Sequence, residues 1–258
     1  MNQAPAGQPW FLYLCFNAPH GASSFGPAKK ENGRKEGAGV QVPDEWARPY
    51  LAKGVPERLA RYLGAVTCMD AAIGEILAQV KARGEEQDTL VIFISDNGGS
   101  GNGGNEPLKG SKGTMWEGGL SVPLLARWPA RLPAGKVTDE FLTSLEFLPT
   151  IAAATGAKPP AGVKLDGFDM LPVLRGEKKS SRTEMFWERR RDHAVRMGEW
   201  KWLQTGNASG LYNIAQDRAE KNDLSKQHPD IAAKLKARFQ AWKAEMDASE
   251  PRGPFRDY

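Results

Sequence analysis

The sequence is poor in the residues that usually announce a metal centre or a disulfide framework. It has two cysteines and three histidines in 258 residues. Cys15 lies in an apolar, strand-like run and Cys68 on a helical face, so both read as buried thiols rather than a disulfide or a metal pair. No apolar run is long enough to cross a membrane. Met1 to Gln8 is polar and lacks the apolar core of a secretory signal. There is no internal repeat and no low-complexity tract. Charge of one sign is also modest: the net charge is +4. That suits an anionic substrate such as a sulfated sugar, but it is too mild and too scattered for a nucleic-acid partner.

What is present is an ordinary globular composition, 40% hydrophobic and 26% charged, with eight tryptophans to fill a core. The length suits a large domain with a smaller one. Trp10 to Phe16 and Thr89 to Ser95 are apolar runs that read as buried strands. Between them, residues 21–53 show no clear period and read as a long loop. Leu59, Tyr62, Leu63, Val66, Met69, Ile73, Ile76, Leu77 and Val80 then recur at helical spacing, predicting a helix from about Pro56 to Arg83 that Gly84 stops. Strand, helix, strand is a βαβ-like unit, which opens both strand tips onto one edge of a sheet. Val122 to Arg127 reads as a short strand, Ser144 to Thr155 as a helix, and Leu165 to Gly176 as a loop running into a short helix. From residue 181 the pattern changes to short strands at 184–189, 193–197, 201–205 and 210–214, which fit a small antiparallel sheet. Pro229 to Met246 closes the chain as an amphipathic helix with Ile231, Leu235, Phe239 and Trp242 on one face. The expected domains are 1–180, an α/β domain, and 181–258, a small subdomain.

The stretch from Thr89 to Gly119 carries the most chemistry. Its strand ends in Asp96-Asn97-Gly98-Gly99, and ligands of open α/β sheets bind beyond that end of the strands. A carboxylate and an amide carbonyl are hard oxygen donors that suit calcium or magnesium rather than zinc. The competing reading is an Asx turn, since Asp-Asn-Gly is a common turn signal. Lys112 can neutralise an oxygen of bound sulfate or phosphate, although most lysines are simply solvated. Lys109 is an equally placed rival. Glu117 reads as structural, with Gly118 and Gly119 shaping a tight turn. His20, just beyond the first strand, can donate to a sulfate oxygen or protonate a leaving alcohol; a loop histidine is otherwise a surface residue. His193 and His228 read as surface residues.

Six segments in order resemble the type I sulfatases of the alkaline-phosphatase-like superfamily. They are PWFLYLCFNAPH, YLGAVTCMDAAIGEIL, SDNGG with KGTMWEGGLSVPLLARWP, LTSLEFLPTIAAATG, LDGFDMLPVLRGE, and AVRMGEWKWL with LYNIAQDRAEKNDLS. The resemblance implies an α/β fold with a mostly parallel sheet sandwiched by helices, followed by the small antiparallel subdomain. It implies that Asp96 and Asn97 are ligands of Ca2+ (Mg2+ being the alternative), that Lys112 contacts sulfate, and that His20 lies near the leaving oxygen. The implied reaction is hydrolysis of a sulfate ester on a carbohydrate or aryl substrate.

The family's nucleophile, a formylglycine made from a Cys- or Ser-x-Pro-x-Arg motif, has no match in this sequence, nor has its Asp-Asp metal-binding pair. The expectation is therefore that the complete enzyme is a calcium-dependent sulfatase and that this chain alone is inactive. A separately encoded N-terminal half is a candidate partner. Periplasmic or secreted placement is what the family suggests, without a signal peptide in these residues. Two alternatives stand beside this reading: a phosphodiesterase or phosphonate hydrolase of the same superfamily, and a non-catalytic remnant that binds anionic glycans.

Overall fold

A computed structural model describes residues 7–21, 30–31, 34–35, 39–159 and 161–249. The chain clusters into two compact units, residues 1–91 with 127–131 and residues 92–126 with 132–258.

In the first unit, a two-residue pair, β1 (Lys30–Glu31) and β2 (Arg34–Lys35), is followed by helices α1 (Asp44–Leu51) and α2 (Glu57–Ala82). Pro43 and Pro56 stand immediately before the two helices at φ −55. Asp44, Glu45 and Glu57 occupy the first turns, where carboxylates offset the positive end of the helix dipole. The helices meet at Gly64: a Cβ there would lie 2.8 Å from the Trp46 carbonyl oxygen, so only glycine admits this approach. Ala47, Ala60 and Ala65 fill the contact. Gly84, at φ +71, ends α2, with Glu85 N donating back to Val80 O and Gly84 N to Lys81 O. These two bonds satisfy carbonyls the helix leaves open.

Three sequence expectations change here. α1 lies inside the stretch read as a loop; it is short and contains Pro49, so its pattern is weak and packing on α2 sustains it. The Trp10–Phe16 run is extended but belongs to no strand. A strand exists by its neighbours' hydrogen bonds, and here Phe11 and Tyr13 are 70% and 80% exposed. Cys15 is accordingly exposed, not buried; both cysteines are free thiols. Third, α2 is long and apolar enough, by length and composition, to cross a membrane. Asp70 and Glu75 interrupt its apolar run, which is why it does not stand out in the sequence as a span.

The second unit holds the tip of β3 (Val91–Ile94), the short helix α3 (Glu117–Leu120) and β4 (Leu124–Arg127), which pairs with β3. A 3-10 turn at Ser144–Glu146 leads into α4 (Phe147–Thr155), and α5 (Leu171–Arg175) follows. The turn has a capping box: the Thr143 side chain accepts from Leu145 N, and Glu146 accepts from Thr143 N. Gly156 and Gly176 end α4 and α5 in the left-handed conformation.

Strands β5 (Glu184–Arg189), β6 (Asp192–Met197), β7 (Trp200–Gln204) and β8 (Ser209–Asn213) make an antiparallel meander. Alternation gives this sheet two apolar faces. Val195, Trp202 and Leu211 lie in register and pack on Ala232, Leu235 and Phe239 of α6 (Pro229–Ser249). Ala194, Leu203 and Tyr212 face the other way and cluster with Met115 and Trp116, from the segment that follows Lys112. The small antiparallel sheet and its closing helix are therefore as expected. The described residues do not assemble the larger parallel sheet, which needs strands beyond β3 and β4.

Candidate functional site

The apolar run Val91–Ile94 needs flanking backbone on its edge, and β4 supplies it. The strand gives out at Ser95, whose hydroxyl donates to Asn97 O at 2.9 Å and turns the chain. Asp96 is exposed and Asn97 half-buried at this turn. Gly98 N then donates to Gly119 O at 3.2 Å. A Cβ on Gly98 would stand 1.7 Å from Gly118 O, and one on Gly118 would stand 2.5 Å from Gly110 O. The glycines thus let three backbone segments stack where side chains would hold them apart.

Asn105 stitches this stack. Its Oδ1 accepts from Gly99 N at 2.7 Å, and its Nδ2 donates to Gly99 O and Gly110 O at 2.8 and 3.2 Å. Lys112 N donates to Gly99 O at 3.1 Å, three residues beyond Asp96. The structure therefore joins the backbone of Lys112 to the loop that carries Asp96 and Asn97. The lysine side chain is exposed, and no carboxylate pairs with it among the described residues.

Lys109 is engaged elsewhere: its ammonium lies 3.6 Å from the centroid of the Trp116 ring. That cation–π contact distinguishes the surroundings of the two lysines, both of which are exposed.

Behind the loop is a buried charge cluster. Lys201, on β7, is fully buried, with its Nζ 2.8 Å from Glu117 Oε1 and 2.9 Å from Glu220 Oε1. Glu220 Oε2 also accepts from Glu117 N at 2.6 Å. Burial pushes the Glu220 carboxyl above the usual range, and Lys201 opposes that push. The cluster carries two carboxylates on one ammonium and anchors the Glu117-Gly118-Gly119 turn on which Gly98 rests. Glu117 is structural, as its sequence context suggested.

Asn97 Nδ2 donates to Asp96 Oδ2. Turning the amide over would bring its carbonyl oxygen to the place of the nitrogen, beside the carboxylate, which a shared cation requires. The pair therefore fits calcium in kind. It does not fit in number, because calcium takes about six to eight oxygens, and no group of three or more potential acid, His or Cys ligands occurs among the described residues.

His20 belongs to the other unit. It ends the turn Asn17-Ala18-Pro19-His20, with its N–H on Asn17 O at 2.9 Å. Nδ1 lies 2.7 Å from Gly21 O, a contact only an N–H can satisfy, and Nε2 of the exposed ring has no partner among the described residues. His193 is not a plain surface residue. It is half-buried, stacked on Phe239 at 4.1 Å, and burial pushes its pKa below the usual histidine value. His228 is half-buried beside Trp200.

Asn105, Lys201 and Glu220 were not foreseen. Lys201 had a signal: alternation puts it on the same sheet face as Leu203, where a lysine needs a carboxylate. Glu220 and Asn105 had none, since their partners are distant in sequence or backbone.

The sulfatase family model matches residues 1–157, and the N-sulphoglucosamine sulphohydrolase C-terminal model matches residues 110–245. Human arylsulfatase A is 35% identical over 224 residues, 72% of this chain and 44% of its own length. A sulfatase of Formosa agariphila is 30% identical over 277 residues, 93% of this chain and 47% of its own. Among solved structures, Ps i-CgsB superposes with a TM-score of 0.78 at 32% identity, covering 91% of this chain and 50% of that one. The same protein has been solved in complex with k-i-k-neocarrahexaose. The chain spans about half the length of the relatives it matches.

Proposed function

From the premise that this chain belongs to the sulfatase family, we propose that it supplies the calcium- and sulfate-binding half of an enzyme that hydrolyses sulfate esters, on a carbohydrate or aryl substrate. The observation that carries the reading is the bond from Lys112 N to Gly99 O. It ties an exposed lysine of the loop to the turn bearing Asp96 and Asn97. A cation held by these two oxygens would supply Lewis-acid stabilisation of charge on the sulfate. Lys112 then neutralises a non-bridging oxygen, acting as a compact point charge. By the family resemblance alone, His20 is the candidate for the leaving oxygen; it would act as the imidazolium, keeping Nδ1–H on Gly21 O and giving up the proton of Nε2.

A hydrolysis of this kind also needs a nucleophile and further metal ligands. The family motif for the nucleophile does not occur in these 258 residues. We therefore expect the polypeptide by itself to turn over no sulfate ester. A partner polypeptide bearing the Asp-Asp pair and the formylglycine would complete it.

The test is turnover of nitrocatechol sulfate by the 258-residue chain, alone and combined with such a polypeptide. The expectation is no turnover alone and calcium-dependent turnover on combination. Lys112→Ala should lower the restored rate about 100-fold or more, the scale of removing one preorganised charge-stabilising group. Restored turnover indifferent to both Asp96→Ala and Lys112→Ala would overturn the assignment.

A further inference from the structure

The proposed site has a cationic neighbour that sulfate at Lys112 does not require. Strands β5 and β6 pair Arg189 with Asp192, so Arg190 and Arg191 form a two-residue hairpin loop, and three arginines follow one another at its tip. All three are exposed. The acids on either side are committed: Glu188 Oε2 lies 3.1 Å from Lys243 Nζ, and Asp192 Oδ1 accepts from Gly206 N at 3.0 Å. No ion pair reaches Arg189, Arg190 or Arg191 among the described residues.

The hairpin touches the candidate site. Arg189 Nη1 donates to Gly113 O at 3.2 Å, on the residue after Lys112. One guanidinium N–H is used, and the remaining donors of the fork have no partner among the described residues. Arg190 adds an independent observation. Its φ is +59, at the first position of a two-residue hairpin loop, where glycine is favoured. A non-glycine residue in the left-handed region is strained, so arginine here is held against backbone preference. Four cations on two touching segments repel one another unless an anion lies among them.

We propose that Arg189, Arg190 and Arg191 form a second anion subsite beside Lys112, which binds a further sulfate group carried by the same saccharide as the sulfate at Lys112. A guanidinium adds paired donors to its charge, and it is the added positive charge of the hairpin that attracts a second sulfate. The hairpin thus selects saccharides bearing more than one sulfate. The inference rests on the reading of Lys112 as the sulfate contact.

Isothermal titration of the 258-residue chain with glucosamine 2-N,6-O-disulfate and with glucosamine 6-sulfate tests it. The disulfated sugar should bind about tenfold more tightly, the worth of one charge-assisted contact. Arg190→Gly, and separately Arg189→Ala with Arg191→Ala, should bring that ratio towards one. Arg190→Gly should do so with no fall in thermal midpoint, and Arg190→Lys should keep most of the preference; a purely structural arginine would give neither result. An unchanged ratio in the hairpin variants overturns the subsite. So does a DNA duplex binding the hairpin as tightly as the disulfated sugar, which would make it a general polyanion patch. Lys112→Ala should weaken both sugars alike. If it weakens neither while the hairpin variants still abolish the preference, the Lys112 reading fails and the arginine site stands. If neither sugar binds, both fail.

Discussion

Two segments of this chain carry the same kind of sequence and meet different fates. Trp10–His20 and Val91–Gly99 are each an apolar, strand-like run that ends in a polar turn with a candidate functional residue. The second is braced throughout. β4 pairs with its strand, Gly98 and Gly99 bond to Gly119 and Asn105, and Met115 packs against the sheet face behind. The first has the Trp10 indole on Glu85 and the His20 turn, while Phe11, Leu12, Tyr13 and Leu14 remain exposed. Apolar character alone does not make a strand; it makes a segment that needs neighbours. Where the neighbours lie within the same unit, the site loop has a definite geometry.

The largest effect should come from removing the brace. Lys201→Met leaves Glu117 and Glu220 buried together with no cation between them. Breaking a buried ion pair from one side costs about 3–5 kcal/mol, and urea unfolding should show a loss of that order. Adding Glu117→Gln and Glu220→Gln should recover part of it, because the stranded charges are then gone. If Lys201→Met unfolds at the same urea concentration as the parent, the cluster does not hold the Glu117 turn. The braced segment would then stand no better supported than Trp10–His20.

A smaller effect sharpens the comparison within the second unit. Burial against Phe239 lowers the His193 pKa, with the Arg191 carbonyl and the charges of Glu188 and Asp192 opposing. The folded value therefore lies below the unfolded one of about 6.5. Between the two, the unfolded chain binds more protons, so stability rises with pH. The contribution of neutral His193 is complete above the unfolded value and is lost as pH falls through it towards the folded one. Thermal midpoints at pH 7.5 and 5.5 should differ more for the parent than for His193→Phe. Equal differences would mean that the ring is not buried as a neutral group.

How much of this was legible follows the same line. β5, α2 and α6 stand where their periodicity puts them, because alternation and helical spacing record burial by elements of the same unit. Asp96, Asn97 and Lys112 stand out as candidates because strand, turn and glycines are all local. α1 was missed because Pro49 breaks an eight-residue pattern. Lys201, Glu220 and Asn105 could not be read because each acts on a distant residue or on backbone, and side-chain type alone does not name the partner. His193 was misjudged for the same reason: its burial is contributed by α6.

The smallest effect belongs to the unbraced segment. Phe11→Ser with Tyr13→Ser removes two aromatic side chains that the described residues barely cover. Surface substitutions of this kind stay within about 0.5 kcal/mol, against several kcal/mol for truncating a covered aromatic such as Phe239. Urea unfolding of the 258-residue chain should therefore hardly distinguish the double variant from its parent. The difference should appear only when strands from another polypeptide pair with this run, since burial of these side chains would then contribute to association. In that case the variant would lose restored sulfatase turnover while keeping its own stability. A double variant that unfolds several kcal/mol more easily on its own would show that the run already has partners in this chain, and the contrast between the two segments would fall.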